Sequence, residues 1–544
     1  MITHAYIPDE YVQMILNADE TGQKLYEDYV SERINGDVSL WAPVKKENNK
    51  MFKSANKKTT VKLRDKTVDL RETKDLYGRL MVLARSNRDI NQKEAIGNYE
   101  FTVTPRALFA PDGTILPCQD KSKLISLLNK LATEETLQED PQLEDGMDTR
   151  SDAPIRKIVL VDGMVLLQKM AKKPATILTV KDLSDCFNNR LIFLTGDYDE
   201  IILVFDTYRE DSLKGATRDK RRQGKAPIQY QVRDDTNIKH IPMNRFLSHD
   251  KTNADLTNYL AAKTLEYNSS SQKLVITCSS GHTRSNKDLV FDDNNHEEAD
   301  TLLIYQAVLA SQRNPPDARM VFFSPDTDVL VLVIANYDLM LKNTAISMVS
   351  GVMEIEPIRR VIGAERAKAL PAFHAFTGAD NTGRFYRIGK ATWLQAYMKA
   401  TPDVISSLQM LSTEADVTET MLSTLASFVC VAYSPKGIYI KNISELRWHL
   451  FGKDMAESDK LPPTLGALKQ HVLRVHIQAR VWGQANIALQ DPQLDPLQNG
   501  YHKESDGQLK PTMTDALPAP KAIIEMVSCQ CKRDFFCKVF LQNK

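Results

Sequence analysis

Between residues 155 and 324, four short apolar runs rich in β-branched residues recur: "IRKIVLVDG" (Ile155–Gly163), "IILVFD" (Ile201–Asp206), "KLVITCS" (Lys273–Ser279) and "MVFFS" (Met320–Ser324). Helix-patterned stretches lie between them, among them Leu256–Leu265 and Glu297–Ser311. Parallel strands need a long crossover, usually a helix, so this alternation predicts an α/β fold. Its centre is a mainly parallel sheet with helices on both faces. Sheets of this kind bind ligands outside the carboxyl ends of their strands. Acids stand at three of those ends: Asp162, Asp206, and Asp326 with Asp328 in "SPDTDVLVLVIANY".

The last pair lies between two apolar runs. A buried, unpaired carboxylate is costly, so such a pair calls for a metal, a cation or water beside it. A surface loop with an aspartate capping the next helix is the plainer reading. Further acids favour the first. "HEEADTLLIYQAVLA" places Glu297, Glu298 and Asp300 in the first turn of a helix, and Asp380 lies in "HAFTGADNTG". Six or seven carboxylates on one sheet edge repel strongly unless divalent cations screen them. Oxygen-only donors point to two Mg²⁺ or Mn²⁺ ions, set about 4 Å apart as in phosphodiester-cleaving centres. A zinc hydrolase would want histidine ligands. His296 alone accompanies these acids, and an N-cap role explains it as well.

The chain has 544 residues, 42% hydrophobic and 26% charged, which is enough to bury a large core. It contains no apolar run of about 18 residues, so no membrane partner is expected. The N-terminal sequence lacks the pattern of a signal peptide, and the seven cysteines are mostly scattered. Both features fit an intracellular protein of the nucleus or cytoplasm. Net charge is zero, but the charges are segregated. Lys45–Lys66 carries nine bases against two acids, Leu131–Asp152 eight acids against one base, and Lys214–Lys225 six bases against one acid. This last block, which includes Lys220, follows the acidic strand end at Asp206. Lys214, Arg218, Arg221 and Arg222 have the spacing of one helix face, which suits a grip on phosphates.

The order of these motifs resembles the PIN-like/5′-nuclease superfamily, which includes flap endonucleases and XPG-type enzymes. The matching residues are Asp162, Asp206, Glu298 with Asp300, Asp326 with Asp328, and Asp380. The resemblance implies that these seven hold the metals. It also implies that Lys214 and Arg221 act catalytically on the scissile phosphate, and that Lys214, Arg218, Lys220, Arg221 and Arg222 contact nucleic acid. "FYRIGKATWLQAY" is similar to the family's helix–two-turn–helix, with Gly389 and Lys390 as its backbone-gripping residues. It lacks the usual second glycine and the proline. The stretches "HEEADT", "DTDVLVL" and "LPAFHAFTGAD" also resemble a group of largely uncharacterised invertebrate proteins. Where those have Cys, this chain has Ala379.

The expected organisation is a helical N-terminal extension with a basic segment over 1–133 and an acidic linker over 134–153. A PIN-like α/β core over 154–357 precedes a helical region with a helix-turn-helix-like element over 358–486. A Pro/Gln/Asp-rich flexible linker over 487–520 leads to a short tail over 521–544. That tail offers Cys529, Cys531 and Cys537, one short of four zinc ligands. The expected function is that of a divalent-metal-dependent nuclease acting on DNA or RNA, with a structure-specific preference implied by the resemblance. The alternative is an inactive nucleic-acid-binding or scaffold protein on the same fold. Dinucleotide and P-loop chemistry find no motif here.

Overall fold

In the computed structural model, the expected strands form at Lys157–Asp162 (β3), Glu200–Val204 (β4), Leu274–Ser279 (β5) and Arg319–Phe323 (β7). The structure describes residues 13, 16–39, 59–63, 66–70, 80, 91–136, 155–170, 177–208, 228–348, 351–454, 460–504 and 507–525. The chain divides into two units, Met1–Lys58 and Thr59–Lys544. In the first, helix α1 (Ala18–Tyr29) runs into a π-helical stretch, Val30–Ile34. The second unit opens with an antiparallel pair, Thr59–Leu63 (β1) and Lys66–Leu70 (β2), inside a region expected to be mostly helical. Helices Gln92–Asn98 (α2) and Lys123–Thr136 (α3) follow.

Seven strands make the central sheet, in the order β6–β5–β4–β3–β7–β8–β9, where β6 is His282–Ser285, β8 Asn343–Met348 and β9 Gly351–Glu354. The five inner strands are parallel, and only the edge strands β6 and β9 pair antiparallel. The chain builds β3, β4 and β5 outward in one direction, then returns to place β7 on the other side of β3. A topological switch therefore falls between β3 and β7, which opens a crevice at their carboxyl ends.

Alternate residues of β3, β4 and β5 enter different cores. Val159, Val161, Ile201, Leu203 and Val275 face a core shared with Gly163–Lys169 (α4), Val180–Thr195 (α5) and Asp250–Tyr267 (α6). Ile158, Leu160, Ile202, Met320 and Phe322 face a larger core with Ala299–Arg313 (α7) and Thr327–Asn336 (α8). Burial on both faces explains why these strands read as unbroken apolar runs. The same holds for α8, whose residues Thr327–Ile334 are all buried, since a helix apolar all round belongs inside.

The larger core continues into helices Ile355–Ile362 (α9), Ala364–Gly378 (α10), Lys390–Met398 (α11), Pro402–Thr413 (α12), Glu419–Tyr433 (α13), Ile443–Asp454 (α14) and Leu465–Gly483 (α15). This matches the helical region expected after residue 358. Leu124 and Leu128 of α3 are fully buried in the same core, so part of the N-terminal extension belongs to it.

The stretch over 487–520, which reads as a flexible linker, packs against the core. His296 Nε2 donates to the Ile487 carbonyl (2.8 Å), and the Gln490 amide to Asn295 Oδ1 (2.7 Å). Arg474 Nη1 donates to the Thr512 carbonyl (2.7 Å). Polar side chains of the core thus satisfy a backbone that has little regular structure of its own. Cys529, Cys531 and Cys537 lie outside the described residues, as does the acidic linker from residue 137.

Candidate active site

All seven predicted carboxylates line one cavity of about 370 Å³ at the carboxyl edge of the sheet. Asp162 closes β3 and caps α4, with its Oδ1 accepting from the Met164 and Val165 amides at 2.9 and 3.1 Å. Gly163 makes this turn possible, because a Cβ there would stand 2.3 Å from the Phe205 ring. Phe205 is itself buried and directly precedes Asp206. Gly163→Ala should therefore cost about 1–3 kcal/mol through overpacking, read as a lowered thermal midpoint.

Asp206 follows β4, and its Oδ1 accepts from the Ala299 amide at 2.9 Å. That bond ties the strand end to the start of α7, where Glu298 is the N-cap residue and Asp300 lies in the first turn. Glu298 is buried and accepts from Trp482 Nε1 at 3.1 Å. Asp326 caps α8 by accepting from the Asp328 amide at 3.1 Å. The plainer reading of the opening pair and the functional one thus hold together: the same carboxylate caps a helix and lines the cavity. Asp380 follows α10 and is exposed.

The electrostatics show a site crowded with negative charge. Burial, and next the Asp206 carboxylate, push the Asp162 carboxyl up to about 7, against the two amide hydrogen bonds that favour its ionised form. Burial likewise raises Asp328. Compensation comes from Lys121, which the sequence did not single out. Its Nζ lies 3.1 Å from Asp326 Oδ1, 3.4 Å from Asp328 Oδ2 and 3.2 Å from Asp380 Oδ1. Burial works to lower its pKa, but the three carboxylates outweigh that and raise it, so the ammonium stays charged.

Asp328 is fixed from behind by His374, missed from sequence, and by Lys390, expected there in another role. His374 on α10 donates Nε2–H to Asp328 Oδ1 at 2.9 Å, and its Nδ1 accepts from Lys390 Nζ at 3.1 Å. Lys390 also donates to the His374 carbonyl (3.1 Å) and to Thr377 Oγ1 (2.8 Å). Burial foremost, then the nearby Lys390 and Lys121, holds His374 well below its usual range and therefore neutral. Burial also brings Lys390 down to about 8. The His374 ring stacks on Trp482, with centroids 5.9 Å apart. Trp482 therefore braces His374 and Glu298 at once.

Among the described residues, the predicted Gly389 and Lys390 fall elsewhere. Lys390, expected to grip a nucleic-acid backbone, is buried with its ammonium turned inward to His374 and Thr377. Gly389 is half-buried at the start of α11, and neither residue lines the cavity. Lys214, Arg218, Lys220, Arg221 and Arg222 lie outside the described residues. Tyr208, the last described residue before them, lines the cavity. His296 is buried, bonded to Thr301 and the Ile487 carbonyl, and does not line it.

No family model matches the chain. No curated relative matches it either. Solved structures similar to it include the 5′-exonuclease of bacteriophage T5 with divalent metal ions (zinc) bound, at a TM-score of 0.30 and 11% identity. That likeness covers 51% of this chain and 89% of the phage protein. The T5 D15 protein co-crystallised with metal ions is similar at a TM-score of 0.29 and 12% identity, covering 61% of this chain and 97% of that one. A complex of the T5 D15 flap endonuclease with DNA and metal ions gives 0.28, 12%, 61% and 97% for the same quantities. At such TM-scores the functional reading rests on this chain's own residues.

The donor set fits hard divalent cations, since it consists of carboxylate oxygens alone. Among the described residues, no group of three or more His, Cys, Asp or Glu side chains stands arranged to hold a metal ion. Three of the seven carboxylates share the Lys121 ammonium. No described helix is long and apolar enough to cross a membrane.

Proposed function

We propose that the protein is a divalent-metal-dependent nuclease that hydrolyses phosphodiester bonds of DNA or RNA, with Mg²⁺ or Mn²⁺ as cofactor. One observation carries this reading. Seven carboxylates, from segments as far apart in sequence as residues 162 and 380, line a single cavity at the switch point of a parallel sheet. Unscreened, such a set only destabilises the fold, so its convergence points to cations as part of the working state.

Divalent ions bound there would supply an activated water and offset charge on the leaving oxygen. The chain's own groups set the geometry. The Ala299 amide holds Asp206, Trp482 orients Glu298, and His374 fixes which Asp328 oxygen faces the cavity. Lys214 and Arg221 are proposed to steady the scissile phosphate, with Arg218, Lys220 and Arg222 gripping the strand nearby.

The experiment is a cleavage assay on flap, hairpin and single-stranded substrates in Mg²⁺ or Mn²⁺, comparing wild type with Asp326→Asn. Asparagine caps a helix as well as aspartate, so the variant keeps its fold. Its rate should fall at least about 100-fold, because a ligand to the ions is lost. Equal rates, or no cleavage by either protein, would defeat the proposal.

The Lys121 contacts favour a second reading, a nucleic-acid-binding or scaffold protein whose ammonium replaces the ions for good. A Mn²⁺ titration of the thermal midpoint separates the two, since only a site that takes metal is stabilised by it.

A further inference from the structure

We propose that Lys121 is a resident counter-cation of the cavity, holding the Asp326–Asp328–Asp380 end in the place a second divalent ion would otherwise take. The proposal rests on the metal-site reading above. It assigns an order: one ion enters at the Asp162–Asp206 end, and a second must displace the ammonium.

Three observations carry it. First, the ammonium has three hydrogens and meets three carboxylates, each within 3.4 Å. A compact point charge with rotatable donors suits that convergence, whereas the flat fork of a guanidinium suits a single carboxylate. Second, the fold brings Lys121 there rather than leaving it to drift. It stands just before α3, whose Leu124 and Leu128 are fully buried. The loop ahead of it is pinned to the segment after Asp380, for the Arg384 amide donates to the Leu116 carbonyl at 3.0 Å and the Tyr386 amide to the Ala107 carbonyl at 2.8 Å. Third, the ammonium pairs with one end of the cavity: its three contacts are Asp326, Asp328 and Asp380, while Asp162, Asp206, Glu298 and Asp300 line the remainder.

The test counts Mn²⁺ ions bound to the full chain by the resonance signal of free Mn²⁺, for wild type, Lys121→Met and Lys121→Arg, with circular dichroism to confirm folding. The wild type should take one ion tightly and a second roughly tenfold or more weaker, because the second competes with a fixed positive charge. Lys121→Met should take two of comparable affinity, and Lys121→Arg should keep the weak second site. The metal-free melting temperature of Lys121→Met should fall below wild type and recover in Mn²⁺.

Coincident isotherms for wild type and Lys121→Met overturn the proposal. If both bind two ions equally, the metal-site reading stands without it. If neither binds Mn²⁺, the metal-site reading fails and takes the proposal with it. Should Lys121→Met not fold, the wild-type isotherm alone still decides, since two equal sites there exclude a resident cation.

Discussion

Asp162→Asn is expected to abolish Mn²⁺-dependent cleavage while leaving the metal-free protein more stable than wild type. The two effects share one cause. Asp162 is almost wholly buried, and the Asp206 charge acts on it directly. An amide keeps the oxygen that accepts from the Met164 and Val165 amides, so the turn into α4 survives. The variant no longer brings a buried charge into a repelling cluster. It also no longer offers a carboxylate to the ions. A loss of about 10³-fold or more in rate, roughly 4 kcal/mol of transition-state stabilisation, is the scale expected when such a ligand is removed. Cleavage rates alongside melts in chelator check both halves. A variant that is inactive but less stable than wild type would mean Asp162 serves the fold rather than ions.

The second large effect is in pH. Asp162 ordinarily ionises near 3.8 and is pushed up to about 7 in the fold. Between those values the folded protein holds a proton that the unfolded chain has released, so stability falls as pH rises through the window. The loss from this one group is as much as about 4 kcal/mol by pH 7 and above. Asp328, also raised, acts in the same direction. His374, lowered, acts in the opposite one, since the unfolded chain binds its proton more readily. Lys390, brought down to about 8, contributes only at more alkaline pH.

The difference between wild type and Asp162→Asn cancels the groups the two proteins share. Metal-free wild type should lose stability relative to the variant from about pH 4 to 7, and saturating Mn²⁺ should remove most of that gap. Denaturant melts across this range give the answer directly. Parallel pH curves for the two proteins would show that Asp162 ionises normally.

Four of the five inner strands, with Asp162, Asp206, Asp326 and Asp328 at their ends, were legible because parallel strands buried on both faces leave uninterrupted apolar runs, and acids that end such runs stand out. The groups that balance those acids were not. Lys121 sits in "QDKSKLI", where an isolated lysine in a polar stretch looks like any solvated surface residue. Only the fold brings it to Asp326, 205 positions away. His374 and Lys390 were hidden for another reason. Lysine is seldom fully buried, so Lys390 reads as a surface contact until Thr377 and His374 are seen to receive its protons. Composition also misled over 487–520. Proline and glutamine mark a chain without regular structure, but they do not say whether side chains such as Asn295 and Arg474 wait to pair with it.

The contributions of Lys121, His374, Asp380 and Trp482 bear on how the protein can be dissected. A fragment trimmed to the sheet and its flanking helices, residues 154–357, would retain six of the seven acids and discard their restraints. It would lose the ammonium before α3, the imidazole of α10 and the indole of α15 together. The cavity is assembled from both flanks of the α/β region, so minimal pieces of this chain would inherit the charge without the means to tame it.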